Sequence, residues 1–212
     1  ICETAGCVAA RGLLPWASVA GILAFTLVVA RLFGPVVASS AEGFWLMDGP
    51  TDRRRILAGR LVGGIAAAAV LGAAAGALIA SLTGSGASEI GIWALAGGLG
   101  AAGLIAFAAA EQGVDRHWIV TGVQWIIGAA AIATMVLLVS GAAGWMDLGG
   151  LTLLAVELAY IIAGVGLLLI VVAGMLAFHR LRNIRRQRLT SGGSLLSGLQ
   201  GAAFALTTPP AA

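Results

Sequence analysis

Five long apolar runs, about Leu13 to Phe33, Leu61 to Leu82, Ile90 to Ala110, Trp118 to Val139 and Leu151 to Phe178, constrain this 212-residue chain more than any other feature. A helix rises about 1.5 Å per residue, so about 20 apolar residues cross the hydrocarbon layer of ~30 Å, and each run is long enough. The runs are continuous rather than alternating, which favours helices over a barrel, because each helix satisfies its own backbone in lipid. Composition agrees. With 60% of residues hydrophobic and only 10% charged, the chain cannot clothe a water-facing surface. The expected fold is an all-α, polytopic integral membrane bundle of about five transmembrane helices spanning residues 13–178.

The arginines set an orientation. Arg53, Arg54, Arg55 and Arg60 fall in the segment between the first two runs, Arg116 follows the third, and Arg180, Arg182, Arg185, Arg186 and Arg188 follow the fifth. The connections around Gly84-Ser85-Gly86 and Gly144-Trp145-Met146-Asp147 hold none. Basic connections stay in the cytoplasm, so residues 1–12 are expected to be an exoplasmic segment, and the loop 34–60 and the basic tail 179–212 to be cytoplasmic. Trp16, Trp93, Trp118 and Trp145 fall near span ends, as in an aromatic belt. Arginines at span ends explain a pI near 9.7 without nucleic acid, and membrane lipids are the expected partners.

All twelve basic residues are Arg. Without Lys the chain builds neither a Walker-type phosphate loop nor a Schiff base, so no enzyme activity or bound cofactor is expected of it, and any ATP hydrolysis belongs to another subunit. The Arg, Ala and Gly bias suggests a GC-rich bacterial genome. Cys2 and Cys7 are the only cysteines; an exoplasmic disulfide and two free thiols both remain open, and no metal-ligand spacing accompanies them. The opening Ile-Cys-Glu has no initiator Met and no signal-type core, so the chain reads as part of a longer protein. Ser191 to Leu206, with Leu195, Leu199 and Leu206 at near-helical spacing, suggests an interfacial helix or the approach to a second half.

Within the second run Gly64, Ala68, Gly72, Gly76 and Ala80 place a small residue at every fourth position, the pattern of a close helix–helix seam. Gly98 to Gly103 formally matches a dinucleotide fingerprint, but no strand precedes it inside an apolar run, so that reading is rejected. Glu157 is the one carboxylate well inside a span, about 10 Å from its outer end. Intramembrane acids are expensive. Glu157 either serves a hydrated cavity or a cationic substrate, or is protonated or bonded to a Ser, Thr or backbone group near the interface. Arg31 is placed to snorkel, and His117 and His179 flank span ends as interfacial residues. Neither Asp115-Arg116-His117 nor Ser85 has the placed partners of a catalytic group.

The longest interior loop carries the functional information. Ser39 and Glu42 have capping-box spacing at the start of a short helix made apolar by Phe44, Trp45, Leu46 and Met47. Gly49-Pro50 breaks it, and Thr51-Asp52 restarts a helix leading into the second span. Chemistry alone permits an interfacial helix in the headgroups or an apolar element that docks in a groove on a soluble partner. Glu42, Trp45-Leu46-Met47, Pro50, Asp52-Arg53-Arg54, Ile56-Leu57 and Gly59-Arg60-Leu61 together resemble the cytoplasmic loop of type-2 ATP-binding-cassette exporter permeases. There a Glu and a Leu-rich helix precede a Pro-Val-Ser-Arg-like turn and an Ile-Leu-x-Gly-Lys-Leu entry; here Thr51-Asp52 stands for Val-Ser and Arg60 for Lys.

The resemblance covers about 20 residues and implies a separate ATPase subunit, carrying ATP and Mg, that docks on Glu42, Phe44, Trp45, Met47, Asp52, Arg53 and Arg54. It also implies a second permease half or copy, a bacterial cytoplasmic membrane and a six-span unit of the large actinobacterial type whose first span this chain lacks. The short connection between the fourth and fifth runs departs from the exoplasmic re-entrant element of many members. Two other readings stand beside it: an ion-coupled or passive carrier using Glu157, and a scaffold whose loop recruits a soluble protein.

Overall fold

The structure, a computed structural model, describes residues 5–33, 53–112, 117–143 and 149–180. These form five helices: α1 Ala5–Phe33, α2 Arg53–Leu82, α3 Ala87–Gln112, α4 His117–Ala142 and α5 Gly149–Arg180. Each contains a stretch long and apolar enough to cross a membrane, and the fold is an all-α polytopic membrane bundle. Every helix starts before the apolar run that announced it, α1 at Ala5 rather than Leu13 and α2 at Arg53 rather than Leu61. Hydropathy marks the hydrocarbon layer, whereas backbone hydrogen bonding continues past it into polar residues. Part of the segment expected as an exoplasmic lead, residues 5–12, is therefore the first turns of α1.

Helix α3 is the hub. It packs extensively against α2 and α5 and also against α1, while α4 lies at the edge, mainly on α1. Its buried face is almost entirely Gly and Ala, and this is what lets other helices surround it. Lipid tails are as apolar as the helices, so association rests on close van der Waals packing, which small residues permit. A Cβ on Gly97 would lie 2.5 Å from the carbonyl oxygen of Gly72, and one on Gly76 would lie 2.5 Å from that of Trp93. On the other side of the hub, a Cβ on Gly103 would lie 2.7 Å from the carbonyl oxygen of Gly166. The small-residue seam of α2 thus faces α3 through Gly72, Gly76 and Ala80, all buried.

Trp93 corrects an expectation. It is 3% exposed, in a cluster with Leu13, Ala80 and Ala96, rather than in an interfacial belt. Gly76 lets the Trp93 backbone approach α2, and Ala80 packs in the same cluster as the Trp93 side chain.

The α2–α3 connection is a tight turn. Ser85 N–H donates to Ala80 O and Gly84 N–H to Ser81 O, the bond pair that closes a helix when the residue after its end turns left-handed; Gly84 does so with φ of 76°. Glu89, in the first turn of α3, then meets the positive end of that helix.

Candidate functional site

Of the expected docking residues, Glu42, Phe44, Trp45, Met47 and Asp52 lie outside the described residues, as do Cys2, Asp115, Arg116 and the tail after Arg180. Arg53 and Arg54 are the first two residues of α2 and are described in backbone only. What the structure does place is the helix that receives this loop. From Arg53, α2 runs unbroken to Leu82. One turn in, Leu57 and Leu61 are buried in a cluster with Ala106, Ala109 and Ala110 of α3 and Ala173 and Ala177 of α5. The exit of the loop is therefore seated on two other helices, not on one.

The same end of the bundle carries most of the polar detail. Arg180 donates from Nη1 to the carbonyl oxygen of Ala110 at 3.2 Å, satisfying a C-terminal carbonyl of α3 with a cation where the helix dipole favours one. Beside it, the atoms Glu111 Oε2 and Gln112 Oε1 of these half-buried residues are shielded from solvent and have no hydrogen-bond partner among the described residues. Between α2 and α5 an apolar cleft of about 300 Å³ is lined by Leu61, Val62, Ile65, Gly174, Met175, Phe178 and His179. Arg31, in the last turn of α1, donates to Gln124 Oε1 of α4 at 3.3 Å. It ties the edge helix to the bundle as well as reaching for the interface. Gln124 was not picked out from sequence; a lone amide within an apolar run was the available signal.

Glu157 stands elsewhere. Helix α5 faces α3 with Ala155, Ala159, Gly166, Ala173 and Ala177, all buried. At 100° per residue Glu157 lies about 200° round from Ala155, on the opposite side of the helix. It is exposed, and it has no hydrogen bond or ion pair with any described residue. The interior of the bundle is correspondingly apolar: among the described residues no polar or charged residue is buried. Glu157 thus points away from α3.

Two other sequence signals are placed as packing or turn residues. Gly98, Gly100 and Gly103 are buried in mid-helix. The Ser85 hydroxyl lies 3.3 Å from that of Thr83 in the α2–α3 turn. Among the described residues no group of three or more His, Cys, Asp or Glu is positioned to hold a metal.

Residues 7–209 match the model of a family of unknown function, DUF6297. No curated protein and no solved structure matches the chain.

Proposed function

The chain belongs to DUF6297, and we propose that it is the membrane-embedded permease part of an ATP-driven transporter, an exporter of the ATP-binding-cassette type in a bacterial cytoplasmic membrane. The observation that carries this reading is the loop Ser39 to Leu61. Its sequence has capping-box spacing, an apolar Phe44-Trp45-Leu46-Met47 run, a Gly-Pro break and a basic restart, the pattern expected of a docking helix in the permeases it resembles. Two features of the bundle support it. Helix α2 begins within that segment, at Arg53, and is clamped to α3 and α5 within its first turns, so a force on the residues before it would move packed helices together. The apolar interior also means that a polar substrate would pass along a surface of the bundle against a second half or copy, the arrangement of a two-part permease.

The carrier alternative would use Glu157 from the outside of α5, and the scaffold alternative would use the loop without transport. Affinity purification of the intact protein from its native cell separates them. The permease reading requires a stoichiometric ATP-binding-cassette subunit, and Glu42→Arg or Trp45→Ala should abolish its retention while membrane insertion persists. Substrate movement driven by a proton gradient with no ATPase present would replace it with the carrier. A retained soluble partner with no transport in vesicles would replace it with the scaffold.

A further inference from the structure

Glu157 is both deep and turned outward. Gly100 lies midway along α3, and a Cβ there would meet Leu23 Cδ2 at 2.8 Å and Ile162 Cγ2 at 3.1 Å, so α1, α3 and α5 cross at this level. Glu157 is five residues from Ile162 toward the Gly149 end, about 7–8 Å by helical rise. Half of the hydrocarbon layer is about 15 Å, so even with the side chain leaning toward the helix start the carboxyl group remains within it. Ionisable groups at such depth almost always face protein or water rather than lipid.

No described cation reaches it. Arg11 is twelve residues outward of Leu23, about 10 Å farther from the centre than Glu157, and its guanidinium lies against Gly84 of the α2–α3 turn. Arg31, Arg60 and Arg180 belong to the opposite end of the bundle. One turn below Glu157 on the same face is Tyr160, 59% exposed and likewise without a hydrogen-bond partner among the described residues. Its side chain leans toward the helix start, which is toward the level of Glu157. A donor and an acceptor, neither with a partner among the described residues, thus share one outward face. Below them Gly164 lies directly opposite the α3 side, and a Cβ there would meet nothing within 4 Å; Leu168 continues the stripe, 60% exposed.

We propose that this face of α5 is the contact surface for a second copy of this chain, with the Tyr160 hydroxyl of each copy donating to Glu157 of the other. A twofold axis normal to the membrane brings identical faces together at identical depth, so the donor of each copy and the acceptor of the other satisfy each other twice. Gly164 lets the two helices approach closely beneath the polar pair. This deepens the two-part permease reading by naming the surface that meets the second part. Its test reads association rather than transport, so either reading can fail alone.

The test is disulfide trapping of full-length protein in native membranes, in a background with Cys2→Ser and Cys7→Ser. Gly164→Cys should give an oxidised dimer, whereas Ile132→Cys, on the outer side of α4 and 68% exposed, should not. Tyr160→Phe and Glu157→Ala should each weaken dimerisation about tenfold, a typical effect of interhelical hydrogen bonds in membranes. Glu157→Gln should retain the dimer, since an amide still accepts from Tyr160. Absence of the Gly164→Cys dimer, or an unaffected Tyr160→Phe, overturns the proposal. Loss on Glu157→Gln as severe as on Glu157→Ala also overturns it, because that pattern belongs to a cationic helix of another protein.

Discussion

At the scale of single residues, the glycines divide by what surrounds them, and the division predicts opposite effects of the same change. A Cβ on Gly103 would sit 2.7 Å from the carbonyl oxygen of Gly166, a backbone atom that cannot turn aside, whereas one on Gly91 would meet nothing within 4 Å. Thermal unfolding in detergent should show Gly103→Ala destabilised by about 1–3 kcal/mol, the usual cost of overpacking. Gly91→Ala should be neutral or stabilised by up to about 1 kcal/mol from helix propensity. Arg180→Ala should cost about 1.5–3 kcal/mol, the range for a charged donor on a part-buried acceptor, here Ala110 O. The four-residue spacing of Gly72, Gly76 and Ala80 was legible in the sequence as a seam. Its partner, Gly97 on α3, was not, because periodicity names a face and never the surface it meets. Glu157 was visible as an intramembrane acid for the same reason that its direction was hidden: only the packing of Ala155 and Ala159 against α3 fixes which side of α5 is outside.

At the scale of elements, five apolar runs were enough to give five helices, but they placed every start too late. The error is systematic. Polar residues such as Arg53, Arg60, Glu89 and Glu111 end a hydropathy run without ending a helix. Trp93 was misassigned by a related shortcut, since an aromatic near a span end is interfacial only if no neighbouring helix leaves room for it. Where a helix truly ends, the sequence was specific: Gly84-Ser85-Gly86 marked the α2–α3 turn, and Gly84 adopts the left-handed φ that closes it. Gly84→Ala should therefore cost about 1–2 kcal/mol from the backbone alone, since the Arg11 guanidinium, 2.9 Å from the new Cβ, is the far end of a flexible side chain that can move aside. Reading its unfolding beside that of Gly86→Ala, which meets nothing within 4 Å, isolates the conformational requirement from any general sensitivity of the turn.

At the scale of the whole molecule, the helix order makes α1, α3 and α5 run in one direction and α2 and α4 in the other if each crosses the membrane once. The end bearing Arg31, Arg60 and Arg180 is then opposite the end bearing the α2–α3 turn, and the asymmetry of basic connections predicts that the first faces the cytoplasm. Reporter fusions test this with both signs. Alkaline phosphatase inserted at Gly86 should be active, because it would be exported, and a fluorescent protein fused after Arg188 should fluoresce, because it would fold inside. The opposite pair of results would do more than invert a diagram. It would put Ser39 to Leu61 on the side without ATP, where no ATPase can dock, and the permease reading would fall even though the same five helices, the same α3 hub and the same outward Glu157 remained in place.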